Sequence, residues 1–330
     1  MTPIRWGILG LGKIARKFAI GLQSIPDASL VAVGSRSMEK ASAFAAEFKV
    51  SRAYDSYEAL VADPEVDVIY IATPHPQHHE AALLCLKAGK AVLLEKPFTV
   101  NAREAGELIE VARHEKVFLM EAMWMRFLPM IMQMREWLEE KAIGEPRVVM
   151  ADFGFRADWN PENRVLNPAL AGGALLDVGI YTLSFASMVF GAVPRNVTGL
   201  CHLGETGVDE QSAVVLSYDA GALAVLTSAV RTRTAHEARI QGTAGSIHMP
   251  TFWHGSEVVL TREGKDPETV SRPFVGNGYC HEAIEVGRCL RAGLPESPML
   301  PLSDTLAMMR TMDELRRQWG LVYPGEARRV

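Results

Sequence analysis

The chain is poor in cysteine. Among its 330 residues Cys85, Cys201, Cys280 and Cys289 stand far apart, with no Cys-x-x-Cys pair. This argues against a disulfide framework or a structural zinc site and fits reduced thiols in a cytoplasm. There is also no excess of positive charge. Lys and Arg number 34 against 39 Asp and Glu, a net charge of -5, so no basic field is present to attract nucleic acid or anionic lipid. No apolar run reads as long enough to span a bilayer. The start, Met1–Arg5, leads straight into a strand without the basic and apolar regions of a leader. Internal repeats and low-complexity segments are absent as well. The expectation is a cytoplasmic chain with neither a membrane nor a nucleic-acid partner. What is present is 48% hydrophobic residues and 22% charged ones, ample for a core, and a length that suggests two domains.

The first third alternates short apolar runs with helix-like stretches. Strands are expected at Arg5–Leu9, Leu30–Val33, Ala53-Tyr54, Val66–Ala72, Ala91–Leu94 and Val117–Met120, with helices between them. Such alternation predicts a parallel sheet covered on both faces. The first turn carries Gly10-Leu11-Gly12-Lys13-Ile14-Ala15. In this G-x-G-x-x-A pattern Gly10 permits the tight turn, Gly12 admits a pyrophosphate at the helix N-terminus, and Ala15 allows close packing. Lys13 and Ile14 open that helix. At the end of the second strand, Ser35 and Arg36 stand where an NAD-preferring site puts an acidic residue. Ser35 can hydrogen-bond a 2′-phosphate and Arg36 can pair with it, with Lys40 one turn on. The cofactor predicted is NADP, with NAD as the alternative.

Thr73-Pro74-His75-Pro76-Gln77-His78-His79 ends the fourth strand. Three histidines invite a metal reading, but the prolines and the missing carboxylate or cysteine at ligand spacing favour a loop lining the cofactor crevice. Thr73 and Pro74 are then expected near the nicotinamide half, and His78 on the cofactor or capping the helix. Glu95-Lys96-Pro97 closes the fifth strand, and a lysine there lies at the ligand-binding edge of an open α/β sheet. Taken alone, Lys96 reads equally well as a solvated charge.

After residue 121 the pattern changes, so the expected domains are 1–121 and 122–330. A dense block, Met123–Leu128, precedes a helix. Then come alternating runs over 147–155, 196–202, 211–218, 223–230, 237–241, 246–248 and 257–261, which predict an α+β domain built on a mainly antiparallel sheet with one face on helices. The other face predicts homodimerisation. Gly172-Gly173 is followed by an apolar run to Phe190, with Asp177 and Tyr181 four apart on one helical face. Trp124, Arg126, Phe127, Phe153, Phe155 and Tyr279 are candidates for the wall of a ligand pocket between the domains, with aromatic faces to offer an apolar ring.

The motifs Gly10-x-Gly12-x-x-Ala15, Glu95-Lys96-Pro97 and Gly172-Gly173-x-x-x-Asp177-x-x-x-Tyr181 together resemble the glucose-fructose oxidoreductase / inositol dehydrogenase / MocA family, in its dihydrodiol dehydrogenase and D-xylose dehydrogenase branch. Further stretches extend the likeness nearly end to end: Tyr54–Glu58, His75–His78, Phe118–Ala122, Glu205–Asp209 and Glu296–Pro298. The resemblance implies a Rossmann domain followed by an open-faced sheet that mediates dimerisation. It implies that Lys96 lies beside the nicotinamide and the substrate hydroxyl, with a cis Pro97, and that Asp177 and Tyr181 are the aspartate and the proton-transfer residue. Many members have histidine in place of Tyr181, which sets this chain apart from inositol dehydrogenase-like chemistry. The implied activity is NADP-dependent oxidation of an aldose or a cyclic vicinal diol. Alternatives are reduction of a keto- or anhydro-sugar and a non-catalytic NADP-binding sensor.

Overall fold

A computed structural model describes residues 2–326. The chain forms two compact units. The first takes the residues up to Thr99, Arg103–Trp124 and Phe274–Thr305; the second takes Val100–Ala102, Met125–Pro273 and the residues from Leu306 on. The first unit thus runs past residue 121 to Trp124, and the residues after it are not one piece, because 274–305 returns to the first unit. Packing shows why: Gly21 lies against Asn277, Tyr279 and Cys280, and the Leu119 amide donates to the Pro295 carbonyl at 3.2 Å.

In the first unit the order is β1 (Ile4–Leu9), α1 (Lys13–Leu22), β2 (Ala28–Gly34), α2 (Met38–Phe48), β3 (Arg52–Tyr54), α3 (Tyr57–Val61), β4 (Val68–Ile71), α4 (His78–Lys87), β5 (Ala91–Glu95), α5 (Ala102–Glu115) and β6 (Leu119–Ala122). The strands lie in the order β3-β2-β1-β4-β5-β6, all parallel. Every residue of β4, β5 and β6 is buried, as continuous apolar strands between helical layers require. The order reverses between β1 and β4, the switch point where such sheets bind ligands.

The second unit holds α6 (Pro129–Glu139), β7 (Pro146–Gly154), a π-helical turn (Leu175–Gly179), α7 (Ile180–Phe190) and strands β8 (Asn196–Leu203), β9 (Asp209–Ser217), β10 (Leu223–Ala229), β11 (Ala238–Gly242), β12 (Gly245–Met249), β13 (Glu257–Arg262) and β14 (Glu268–Ser271). Helix α8 (Cys280–Arg291) belongs to the first unit, and α9 (Leu302–Trp319) begins there and ends in the second. The sheet runs β14-β13-β12-β11-β7-β10-β9-β8; only β7 and β10 are parallel. Register separates two faces. Leu260, Ile247, Ile240, Val149, Ala224 and Leu216 align across six strands and are all buried. One residue over, Met150, Val225 and Val215 form a row on the open face, with Met150 49% exposed.

One segment corrects the expectation that no run is long enough to span a bilayer. Residues 168–190 are apolar enough and long enough by composition, yet 83% of the window is buried inside the protein. Its continuous helical part starts only at Leu175, so its apolar surface is spent on the core.

Candidate active site

The cofactor-binding features lie on the carboxyl edge of the parallel sheet. Gly10 has φ +87°, and a Cβ there would come within 2.9 Å of the Ala72 carbonyl carbon and the Thr73 amide. Only glycine lets the β1 turn press against the end of β4. Gly12 is the N-cap of α1 and offers no side-chain cap; a Cβ on it would meet nothing within 4 Å. The start of α1, where the first amides, those of Lys13 and Ile14 among them, lack intrahelical partners, thus has room beside Gly12 and no side-chain cap, as a pyrophosphate requires. Thr73 Oγ1 is buried with no hydrogen-bond partner among the described residues. Together these observations fit a dinucleotide. Ser35 is buried and its Oγ accepts from the Ser37 amide at 3.3 Å. Arg36 is exposed and hydrogen-bonds Tyr57, opposing the burial that pushes the Tyr57 phenol up. Lys40 is exposed in the first turn of α2, and Pro74 is exposed after β4.

His78 takes a different place from a cofactor contact. It is wholly buried, with Nδ1 2.9 Å from the Pro97 carbonyl and Nε2 2.9 Å from the Thr73 carbonyl. Burial outweighs these carbonyls and pulls its pKa down to about 4. A neutral ring has one N–H, so it donates to one of these carbonyls and lies against the other, between the Thr73 loop and the Lys96–Pro97 peptide bond, which is cis. Among the described residues no cluster of three metal-ligand side chains occurs, and His79 pairs with Glu107 at 2.9 Å.

Glu95 also turns inward. It accepts hydrogen bonds from the Tyr70 hydroxyl and, at 3.0 Å, from the Lys96 amide. Lys96 itself is half-buried at the end of β5. Sequence reasoning missed Glu282 on α8. It is fully buried, and neither carboxyl oxygen has a hydrogen-bond partner among the described residues. Burial and the Glu95 charge hold its carboxyl well above the usual range. The Tyr279 ring stacks on Trp124 at 4.4 Å, both buried.

In the second unit, Asp177 is buried in the π-helical turn, and both its oxygens accept from Arg164, each bond 3.1 Å. The Arg164 side chain is 44% exposed, so the pair reaches the surface. Such a turn inserts one residue into a helix and recurs at functional sites. Tyr181 is packed edge-on to Phe153 at 5.2 Å and lies 6.2 Å from Trp253. Phe153 stacks on Trp253 at 4.6 Å and meets His236 at 4.9 Å. His236 Nδ1 accepts from Trp253 Nε1 at 3.3 Å, and its Nε2 faces the Gly154 carbonyl at 2.6 Å. Of the proposed wall, then, Phe153 joins Tyr181, and Trp124 joins Tyr279 in the other unit. Phe155 is half-buried beyond the end of β7, outside these ring pairs. Phe127 is a buried core ring. Arg126 is 2% exposed and donates to Ser187 Oγ at 3.1 Å and Ser184 Oγ at 3.5 Å, inside α7 packing. Arg164, His236 and Trp253 carried no motif; the spacing of Gly172-Gly173 from residue 164 gives no hint of the Arg164–Asp177 pair.

The family model described as "Oxidoreductase family, NAD-binding Rossmann fold" matches residues 4–123, and the "GFO/IDH/MocA C-terminal domain" matches 131–248. The chain belongs to the Gfo/Idh/MocA family. It is an NAD(P)-dependent oxidoreductase with this family's α/β architecture. Mouse trans-1,2-dihydrobenzene-1,2-diol dehydrogenase is 41% identical over 98% of this chain and 99% of its own length. The human protein of that name is 39% identical over 98% of this chain and 99% of its own. Among solved structures, a 3-ketoreductase from Actinomadura kijaniata in complex with NADP and TDP-benzene superposes with a TM-score of 0.84 at 26% identity, covering 96% of this chain and 98% of that one.

Proposed function

We propose that this Gfo/Idh/MocA member is an NADP-dependent dehydrogenase of cyclic vicinal diols or aldoses, active as a cytoplasmic homodimer. The observation that carries the reading is Tyr181 set in an aromatic wall, one turn beyond an aspartate pinned by Arg164. The end-to-end likeness to dihydrodiol dehydrogenases supports it. In this reading the amides at the start of α1 hold the pyrophosphate, and Ser35 with Arg36 holds a 2′-phosphate. The nicotinamide, when bound, supplies hydride acceptance or donation. The protein moves the proton: Tyr181 Oη takes it from the substrate hydroxyl. A free phenol has a pKa of about 10 and is a weak base at neutral pH; an ammonium favours its ionised form, the role proposed for Lys96. Arg164, bonded to both Asp177 oxygens, holds that carboxylate in place to accept from a second substrate hydroxyl. The aromatic faces of Phe153 and Trp253 suit the apolar face of a ring.

Arg36→Ala tests the cofactor half. One charge-assisted hydrogen bond is worth about 1.5–3 kcal/mol, so KM for NADP is expected to rise roughly ten- to hundredfold while KM for NAD changes little. Initial rates with each cofactor decide it; an unchanged NADP preference refutes the assignment of Arg36.

The homodimer reading rests on the open sheet face, where Leu200 (82% exposed) joins Met150, Val215 and Leu223. A contiguous apolar face of this kind is normally covered. Replacing Val215 by Lys is expected to convert a dimer to monomers in sedimentation velocity; a wild-type monomer contradicts the reading. Four free cysteines, three of them buried, are compatible with a reducing compartment. The ketoreductase likeness favours a second direction, reduction of a keto-sugar, in which Tyr181 gives its proton to the carbonyl oxygen. NADPH consumption with carbonyl substrates distinguishes the two.

A further inference from the structure

The glycine pair before the π-helical turn is held by a residue outside the motif. Gly173 has φ +120°, and a Cβ on it would lie 2.1 Å from Asp209 Oδ1. A Cβ on Gly172 would come within 2.7 Å of the Arg164 carbonyl oxygen. The Gly173 amide donates to the Val165 carbonyl at 2.9 Å, and the Tyr323 hydroxyl donates to the Gly172 carbonyl at 2.7 Å. Asp209, at the start of β9, accepts from the Leu175 amide through Oδ2 at 2.7 Å. Its Oδ1 has no hydrogen-bond partner among the described residues, and the whole side chain is buried. Asp209 therefore occupies the space that glycine leaves, and grips the first amide of the π-helical turn. The Asp177 amide in turn donates to the Gly173 carbonyl at 3.3 Å.

We propose that Asp209 is a positioning residue for the reaction: it sets the Gly173 turn, and with it the places of Asp177 and Tyr181, and its ionisation loosens that hold. The proposal rests on the roles given to Asp177 and Tyr181 above. Burial pushes the Asp209 carboxyl up to about 7. The groups that oppose this are the amides of Ala174, Leu175 and Asp209 itself and the Arg316 guanidinium of α9. Tyr323 and Cys201 also feel its charge, and burial holds both unionised at neutral pH. Arg316 is itself engaged by Asp313 and Glu326, each at 2.7 Å, which weakens its pull. The sign follows from linkage. A hydrated Asp has a pKa of about 3.9, so a locally opened segment ionises Asp209 first. The hold is then strongest in acid, weakens as pH rises toward about 7, and is level beyond it.

Amide hydrogen exchange over residues 172–181, corrected for intrinsic rates between pH 5 and 8, tests this in the full chain. Wild-type protection is expected to fall by up to about tenfold per pH unit below pH 7 and then level off. Asp209→Asn keeps an oxygen for the Leu175 amide and is expected to give a pH-independent curve. Asp209→Ala is expected to lose protection at every pH and to lower kcat about tenfold or more with KM for NADP unchanged, the Asn variant recovering most of that loss. An Asn variant that follows the wild-type curve, or an Ala variant with wild-type kcat, overturns the proposal. A wild type inactive on every diol and sugar overturns the functional reading alone; the exchange curves still decide the hold on the Gly173 turn.

Discussion

Tyr181→Phe is expected to lower kcat for diol oxidation by about 10²–10⁴-fold, the usual contribution of a positioned proton-transfer group. The substitution removes one oxygen and leaves the ring. Contacts with Phe153 and Trp253 depend on the ring face and edge, so the fold and the aromatic wall are expected to persist. NADP affinity is expected to stay at the wild-type value, because the dinucleotide cradle is built from β1, α1, β2 and β4 of the other unit. Steady-state rates together with cofactor titration by fluorescence check both halves. Near-wild-type turnover with normal NADP binding means that another group carries the proton.

Lys96→Met is the second large effect. Methionine keeps much of the unbranched stem and removes the charge together with the three N–H donors of the ammonium. In the proposed role the ammonium favours the ionised Tyr181 phenol, so its loss is expected to cost roughly a hundredfold in kcat at neutral pH. The same loss moves the optimum for oxidation toward higher pH, since the phenol must then ionise unaided. Glu95 is bonded to Tyr70 and the Lys96 amide, which braces the backbone at the end of β5. NADP affinity is therefore expected to change less than kcat. Rate–pH profiles decide it: equal losses in affinity and turnover, with no alkaline shift, assign Lys96 to cofactor binding alone.

Much of the fold was legible because its signals are local. Val68–Ile71 and Ala91–Glu95 are short, mostly apolar runs buried on both sides, Gly10 marks a turn whose backbone admits nothing larger, and Gly12 leaves open space at the start of α1. The alternation in β9 and β10 reports one buried face, and the register of Leu216 with Ala224 follows it. β14 escaped because Glu268-Thr269-Val270-Ser271 is short and polar at an exposed edge. Helices α8 and α9 escaped because their charged residues break the apolar pattern, Glu282 among them.

The candidate site divides in the same way. Lys96, Asp177 and Tyr181 stand in recognisable spacings. Their supports do not. Arg164 reaches Asp177 from a loop, Asp209 reaches Gly173 from a strand 36 residues on, and Trp253 reaches Phe153 across the sheet. Such contacts depend on where elements pack, which no local pattern encodes. His78, expected on the cofactor or capping the helix, is buried at the start of α4 with both nitrogens facing backbone carbonyls, an arrangement no local pattern encodes.

The most direct test of the central claim is NADPH formation, followed by absorbance, when the wild-type chain is mixed with excess NADP and a panel of cyclic trans-diols and aldoses. The account predicts saturable NADPH formation with at least one of them, and none with Tyr181→Phe on the same timescale. A chain that binds NADP yet forms no NADPH with any diol or aldose contradicts it.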